Sequence, residues 1–191
     1  MSVASPEDKE QLLADARLAR KGEDNLASFA GHMVERGLLP GGSIERVGDV
    51  TLIDSGIPDD TYNLILGADR LTLAGIHRAI DVARARRRPF AWWVASVPEQ
   101  AELAGQLESI GLKVAEIEKL MTAPLDREWP TAHQALQVRR VENQTELHAF
   151  AEIVASLWTP ANPLVRGYFE KTSAEVLRAD HPSELYVGYN D

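Results

Sequence analysis

This chain of 191 residues carries a net charge of −9, a pI near 5.1 and 45% hydrophobic residues, enough apolar content for one ordinary domain or two small ones. The acidic balance argues against nucleic acid or an anionic membrane as the main partner, because both reward clustered lysine and arginine. It has no cysteine, which excludes disulfides, thiolate metal sites and a cysteine nucleophile; no stretch reaches the roughly 20 apolar residues of a membrane span; and MSVASPEDKEQ lacks the basic and apolar regions of a secretory signal, so a soluble cytoplasmic protein is expected.

Ser5, Pro6, Glu7 and Asp8 read as a helix cap, a first-turn proline and an acidic first turn. That predicts a helix from Pro6 to Lys21, broken at Gly22. A second helix follows from Asp24 or Asn25 to Gly37. Ser43–Val47 and Val50–Asp54 read as strands of a hairpin turning at Gly48-Asp49. SGIPDD is a loop. Tyr62–Ala68 is a third strand and Leu71–Arg88 a third helix, with Leu73, Ile76, Ala79, Ile80 and Ala83 on one face. Arg84, Arg86, Arg87 and Arg88 sit at its end, where they oppose the negative pole of the helix; the plain reading is a capped, solvated terminus.

Pro89–Val97 is apolar and aromatic and predicts a buried strand. Trp92 and Trp93, being adjacent, should face opposite sides of it. Pro98 opens a helix through Leu103, Leu107 and Ile110, and Gly111 ends it. Leu112–Leu125 reads as extended chain. DREWPTAHQAL is a polar linker. Beyond it come a strand Gln137–Val141, a helix Glu146–Leu157 capped by Thr145, a helix Leu164–Leu177 and a strand Ser183–Gly188. An unpaired strand is a liability. The last strand is therefore expected to join the first domain's sheet or to pair with a second copy, giving a homodimer through that edge.

Few chemical motifs are present. His32, His77, His133, His148 and His181 are scattered without metal-ligand spacing. No phosphate loop and no dinucleotide fingerprint occurs. Ser96 follows a strand but lacks a nucleophile elbow. Asp54, Asp59 and Asp60 gather around the loop before the third strand, where they read either as a solvated turn or as carboxylates able to bind or deprotonate an amine. Tyr62 and Asn63 begin the strand best placed to border a groove. Gly67, Ala68 and Gly75 would let a ligand approach the backbone.

The element order over Pro6–Leu125, together with FAWWVASVPEQAELAGQLESIGLKV and its phrase QLESIGL (Gln106–Leu112), resembles the GNAT acyltransferases. QVRRVENQTELHAFAEIVASLW and SELYVGYND resemble the opening of a second such domain. The resemblance implies an α/β (α+β) fold with a mixed, mostly antiparallel twisted sheet flanked by helices. The implied domains are a degenerate GNAT-like domain over 1–125, a linker over 126–135 and the first part of a second domain over 136–191. It implies acetyl-CoA as cofactor, with Tyr62, Asn63, Leu66, Gly67, Ala68, Gly75 and His77 at the cofactor and Asp54, Asp59 or Asp60 as base. It further implies transfer of the acetyl group to a small-molecule or peptide amine. The family's diphosphate loop, Q/R-x-x-G-x-G/A, is altered: Thr72 stands where Gln or Arg is expected, and His77 where Gly or Ala is. Asp69 adds a negative charge nearby, and Leu107 replaces the family's tyrosine acid. The alternative is a non-catalytic GNAT-like scaffold or dimerisation module, and a third is a different α/β fold with a wholly parallel sheet.

Overall fold

The computed structural model describes residues 6–67, 72–95, 97, 100–118 and 136–190, with side chains from residue 14 onward. The chain divides into two compact units, Met1–Ala123 and Pro124–Asp191.

The first unit opens with one continuous helix, α1 (Pro6–Glu35), where a break at Gly22 was expected. A glycine inside a helix costs only about 1 kcal/mol relative to alanine. Leu26, Ala27, Ala30 and Val34 repay that by packing on the sheet beneath them. The hairpin forms as predicted: β1 (Ser43–Val47) and β2 (Val50–Asp54) pair antiparallel from Val47↔Val50 to Ser43↔Asp54. A 3₁₀ turn at Asp60–Tyr62 replaces the expected start of the third strand, so β3 is Leu64–Gly67. It runs antiparallel to β2, from Ile53↔Leu64 to Val50↔Gly67.

The third helix, α2, is shorter than expected, at Leu73–Ala85. Arg87 takes the left-handed conformation (φ 55°) and stops it before Arg88. The strand expected over Pro89–Val97 is a ladder only at β4 (Ala91–Trp92), parallel to β3 through Leu64↔Ala91 and Ile65↔Trp92. Helix α3 is Leu103–Ser109, and Gly111 ends it at φ 95° as predicted. Residues 112–118, read from the sequence as extended chain, form no strand. Ala68, Asp69, Ser96, Pro98 and the segment from 119 to 135 lie outside the described residues.

The sheet order is β1-β2-β3-β4, antiparallel except for its last pair, which excludes the wholly parallel alternative. Side chains alternate across it. Leu52, Ile65 and Trp92 face α2 and α3, joining Ile76, Ile80, Leu103 and Leu107. Ile53, Leu64, Leu66 and Trp93 face α1. The tryptophan pair therefore divides between the two faces, as adjacency predicted. The unit is a sheet sandwiched between helical layers, a mixed α/β architecture.

The second unit contains β5 (Leu136–Arg140), α4 (Gln144–Ala155), α5 (Pro163–Val176) and β6 (Tyr186–Asn190). Asn143, rather than Thr145, caps α4, accepting from the Glu146 N–H, and Asn162 caps α5 through the Leu164 N–H. The last strand, expected to join the first sheet or to pair with a second copy, has a partner inside its own unit. It pairs antiparallel with β5 within the unit, from Leu136↔Asn190 to Arg140↔Tyr186. The rule that a strand needs a partner holds; its partner is simply the other strand of the same unit. Phe169 lies edge-on to both Phe150 and Tyr168, with ring centroids 5.3 Å apart in each pair, and ties α4 to α5. Among the described residues, no helix is long and apolar enough to cross a membrane.

Candidate functional site

The residues singled out from the sequence fall at two ends of β3. Asp54, Asp59, Asp60, Tyr62 and Asn63 lie at its start. Leu66 and Gly67 lie at its end, and Gly75 and His77 lie in the helix that follows. Four residue steps along the strand, about 13 Å, separate Asn63 from Gly67.

At the start, Asp54 is buried and engaged. One oxygen accepts from Arg88 Nη1 at 2.7 Å, with Arg86 Nε at 4.0 Å, and the other accepts from the Gly56 N–H at 2.9 Å. Arg86 also meets Glu45 at 2.9 Å. The arginine run is thus an ion-pair network on a shallow cleft lined by Glu45, Asp54, Arg86, Arg88 and Phe90. Asp59 caps the 3₁₀ turn by accepting from the Thr61 N–H at 2.9 Å. Asp60 is exposed and Tyr62 half-buried.

Asn63 is buried and holds the loop together. Its oxygen accepts from the Ser55 N–H and Oγ–H at 2.9 and 3.0 Å. Its amide reaches the carbonyls of Ile57, Asp59 and Pro89 at 2.7, 2.9 and 2.9 Å. Its polar atoms are committed to the fold.

At the other end, the parallel ladder stops early. Ala91 N–H donates to the Asn63 carbonyl at 3.0 Å, and Trp93 N–H to the Ile65 carbonyl at 2.9 Å. Backbone groups of a strand alternate in direction, so Gly67 and Ala95 are the next to point across the seam. Neither finds the opposite strand. The Gly67 N–H donates to Glu23 Oε1 of α1 at 2.7 Å, and the Ala95 N–H to Gln100 Oε1 at 2.8 Å. Two side chains thus occupy the backbone donors where the strands stop pairing.

Gly67 has a requirement of its own. Its φ is 89°, and a Cβ there would lie 2.7 Å from the Asp49 carbonyl oxygen. Leu66 is buried toward α1. In α2, Thr72 is the N-cap, and its hydroxyl accepts from the Gly75 N–H at 3.2 Å. His77 is exposed. The buried Leu107 packs with the α2 face of the core.

Glu23 and Gln100 escaped the sequence reading. Glu23 continues the stripe Leu26, Ala27, Ala30, Val34 by one turn, so a carboxylate at a core-facing position was the available signal. The assumed break at Gly22 hid it. Gln100 carried no sequence signal, because its partner is set by the turn that follows β4.

Among the described residues, no cluster of histidines and carboxylates has the makings of a metal site. Comparison with models of known protein families, with curated proteins and with solved structures returns no match.

Proposed function

We propose that the first unit carries a GNAT-type acyl-CoA site at the end of the β3–β4 ladder, in a protein that transfers an acetyl group from acetyl-CoA to an amine. One observation carries this reading. Three antiparallel strands lead through a helix into a strand parallel to the third, and that last ladder ends after two residue pairs. Past that point the Gly67 and Ala95 N–H groups are met by side chains and not by the opposite strand, and a seam that opens in this way is the kind of edge along which an extended, amide-bearing chain can lie.

In this reading the pantetheine arm follows Leu66 and Gly67. The start of α2, with Thr72, Gly75 and His77, takes the diphosphate by its positive pole and by N–H groups other than that of Gly75, which the Thr72 cap holds. The amine nitrogen attacks the thioester carbon, the carbon–sulfur bond breaks, and the thiolate leaves. A base takes the proton released from nitrogen. Asp54 is a poor choice for that base, because both its oxygens are already engaged. The other two carboxylates proposed for that role, Asp59 and Asp60, lie at the start of β3, the far end of the strand from Gly67.

The second reading is a GNAT-like scaffold without catalysis. Its support is specific: Thr72 and His77 replace the expected loop residues, Leu107 replaces the acid, and Glu23 and Gln100 already fill the two backbone donors. Calorimetry of acetyl-CoA against the full chain, with coenzyme A as control, separates the two. Micromolar binding is expected for the acyl-CoA site. Absence of binding, both in the native chain and once the Glu23 carboxylate that holds the Gly67 N–H is removed, would leave the scaffold.

A further inference from the structure

We infer that Glu23 is a displaceable gate: its carboxylate holds the Gly67 N–H in the free protein and must yield that donor to the carbonyl of an incoming acyl-CoA. The inference rests on the acyl-CoA reading above and adds what controls access to that site.

The two caps of the seam differ in kind. Gln100 is 1% exposed and belongs to the turn that ends β4, so removing it would take that turn apart. Glu23 is half-buried on the outer helix, and the Gly67 N–H is the bond that holds its carboxylate. A released glutamate can turn to water and regain rotamer freedom, whereas a released buried glutamine cannot. Of the two, Glu23 is the one a ligand can replace.

The geometry also defines the ligand. A donor held by a carboxylate oxygen at 2.7 Å is already set for an oxygen acceptor. A carbonyl in the same place repeats the bond, while an apolar chain would leave the N–H buried and unpaired. Carbonyl-bearing chains are therefore admitted. Binding is weakened by the strength of the bond that must first be broken, and a bond to a charged partner is the stronger kind.

The test is acetyl-CoA binding by calorimetry to the native chain, Glu23→Ala and Glu23→Gln, with melting curves to verify that each is folded. Both substitutions suit a helix interior. Glu23→Ala is expected to bind roughly tenfold tighter or more, since nothing need be displaced. Glu23→Gln keeps an oxygen acceptor of similar reach and should stay within a few-fold of the native chain. Binding by Glu23→Ala alone would equally support the gate, as one that is closed in the native chain. Equal tightening in both variants would assign the effect to charge repulsion and overturn the gate. Equal affinity in all three would also overturn it while leaving the acyl-CoA reading intact. Binding by none would remove both.

Discussion

Asn63 shows how much of a side chain's role its place in a sequence leaves out. At the start of a strand beside an Asp- and Pro-rich loop, it reads as a residue on a ligand groove. In the fold its amide spans three carbonyls, including that of Pro89, while its oxygen holds Ser55. Asn63→Asp keeps the shape but turns donors into an acceptor facing those carbonyls. Buried polar groups left without partners are costly. The substitution should cost about 3 kcal/mol or more, read as a lower urea midpoint with unchanged m-value. A loss below about 1 kcal/mol would mean that the loop does not depend on this hub. The same blindness applies to Asp54: its sequence position was legible, but not its capture by Arg88, which lies 34 positions away. Residue types and their neighbours in sequence mark polar candidates. Whether such a group serves the fold or a ligand depends on contacts that only the folded chain makes.

At the scale of elements, strong local signals survived and weak ones gave way to tertiary contacts. The Gly48-Asp49 hairpin, the α2 stripe from Ile76 to Ala83 (Leu73, expected in it, is exposed) and the Gly111 stop were legible because each is set by turn chemistry or periodicity within a few residues. The break at Gly22 and the length of the β4 strand were not. The first is decided by what the α1 stripe buries, the second by where β3 stops offering partners. The end of α2 falls between these cases. The arginine run pointed to a helix end, but the stop itself is Arg87 at φ 55°, a conformation that costs a residue with a Cβ about 1 kcal/mol. It lets Arg86 and Arg88 turn back to Glu45 and Asp54. Arg87 is exposed, so Arg87→Gly removes the strain with little loss of contact. A gain of about 0.5–1 kcal/mol in denaturant unfolding is expected. Destabilisation instead would mean that the Arg87 side chain is itself part of the charge network.

At the scale of the whole molecule, the two units draw on different resources. The first is built around a four-stranded sheet with helices on both faces. The second rests on a two-stranded sheet and a helix pair, with Leu136, Val138 and Tyr186 exposed on the sheet. A small core makes each buried group count for more. Tyr168 is the clearest case: it is buried in α5 against Phe169, and burial pushes its hydroxyl up to about 12. The sign follows from linkage. Folding favours the neutral phenol, so its contribution is complete below the unfolded value near 10 and is lost as pH rises from there through about 12. A displacement of that size corresponds to about 2 to 3 kcal/mol once the loss is complete. Tyr168→Phe cannot ionise. Urea unfolding of the native chain and of this variant at pH 9 and pH 11 should therefore show a smaller alkaline loss in the variant. Every other group is common to both chains and cancels in the comparison. Parallel pH profiles would place the Tyr168 hydroxyl in water and contradict the packing of α5.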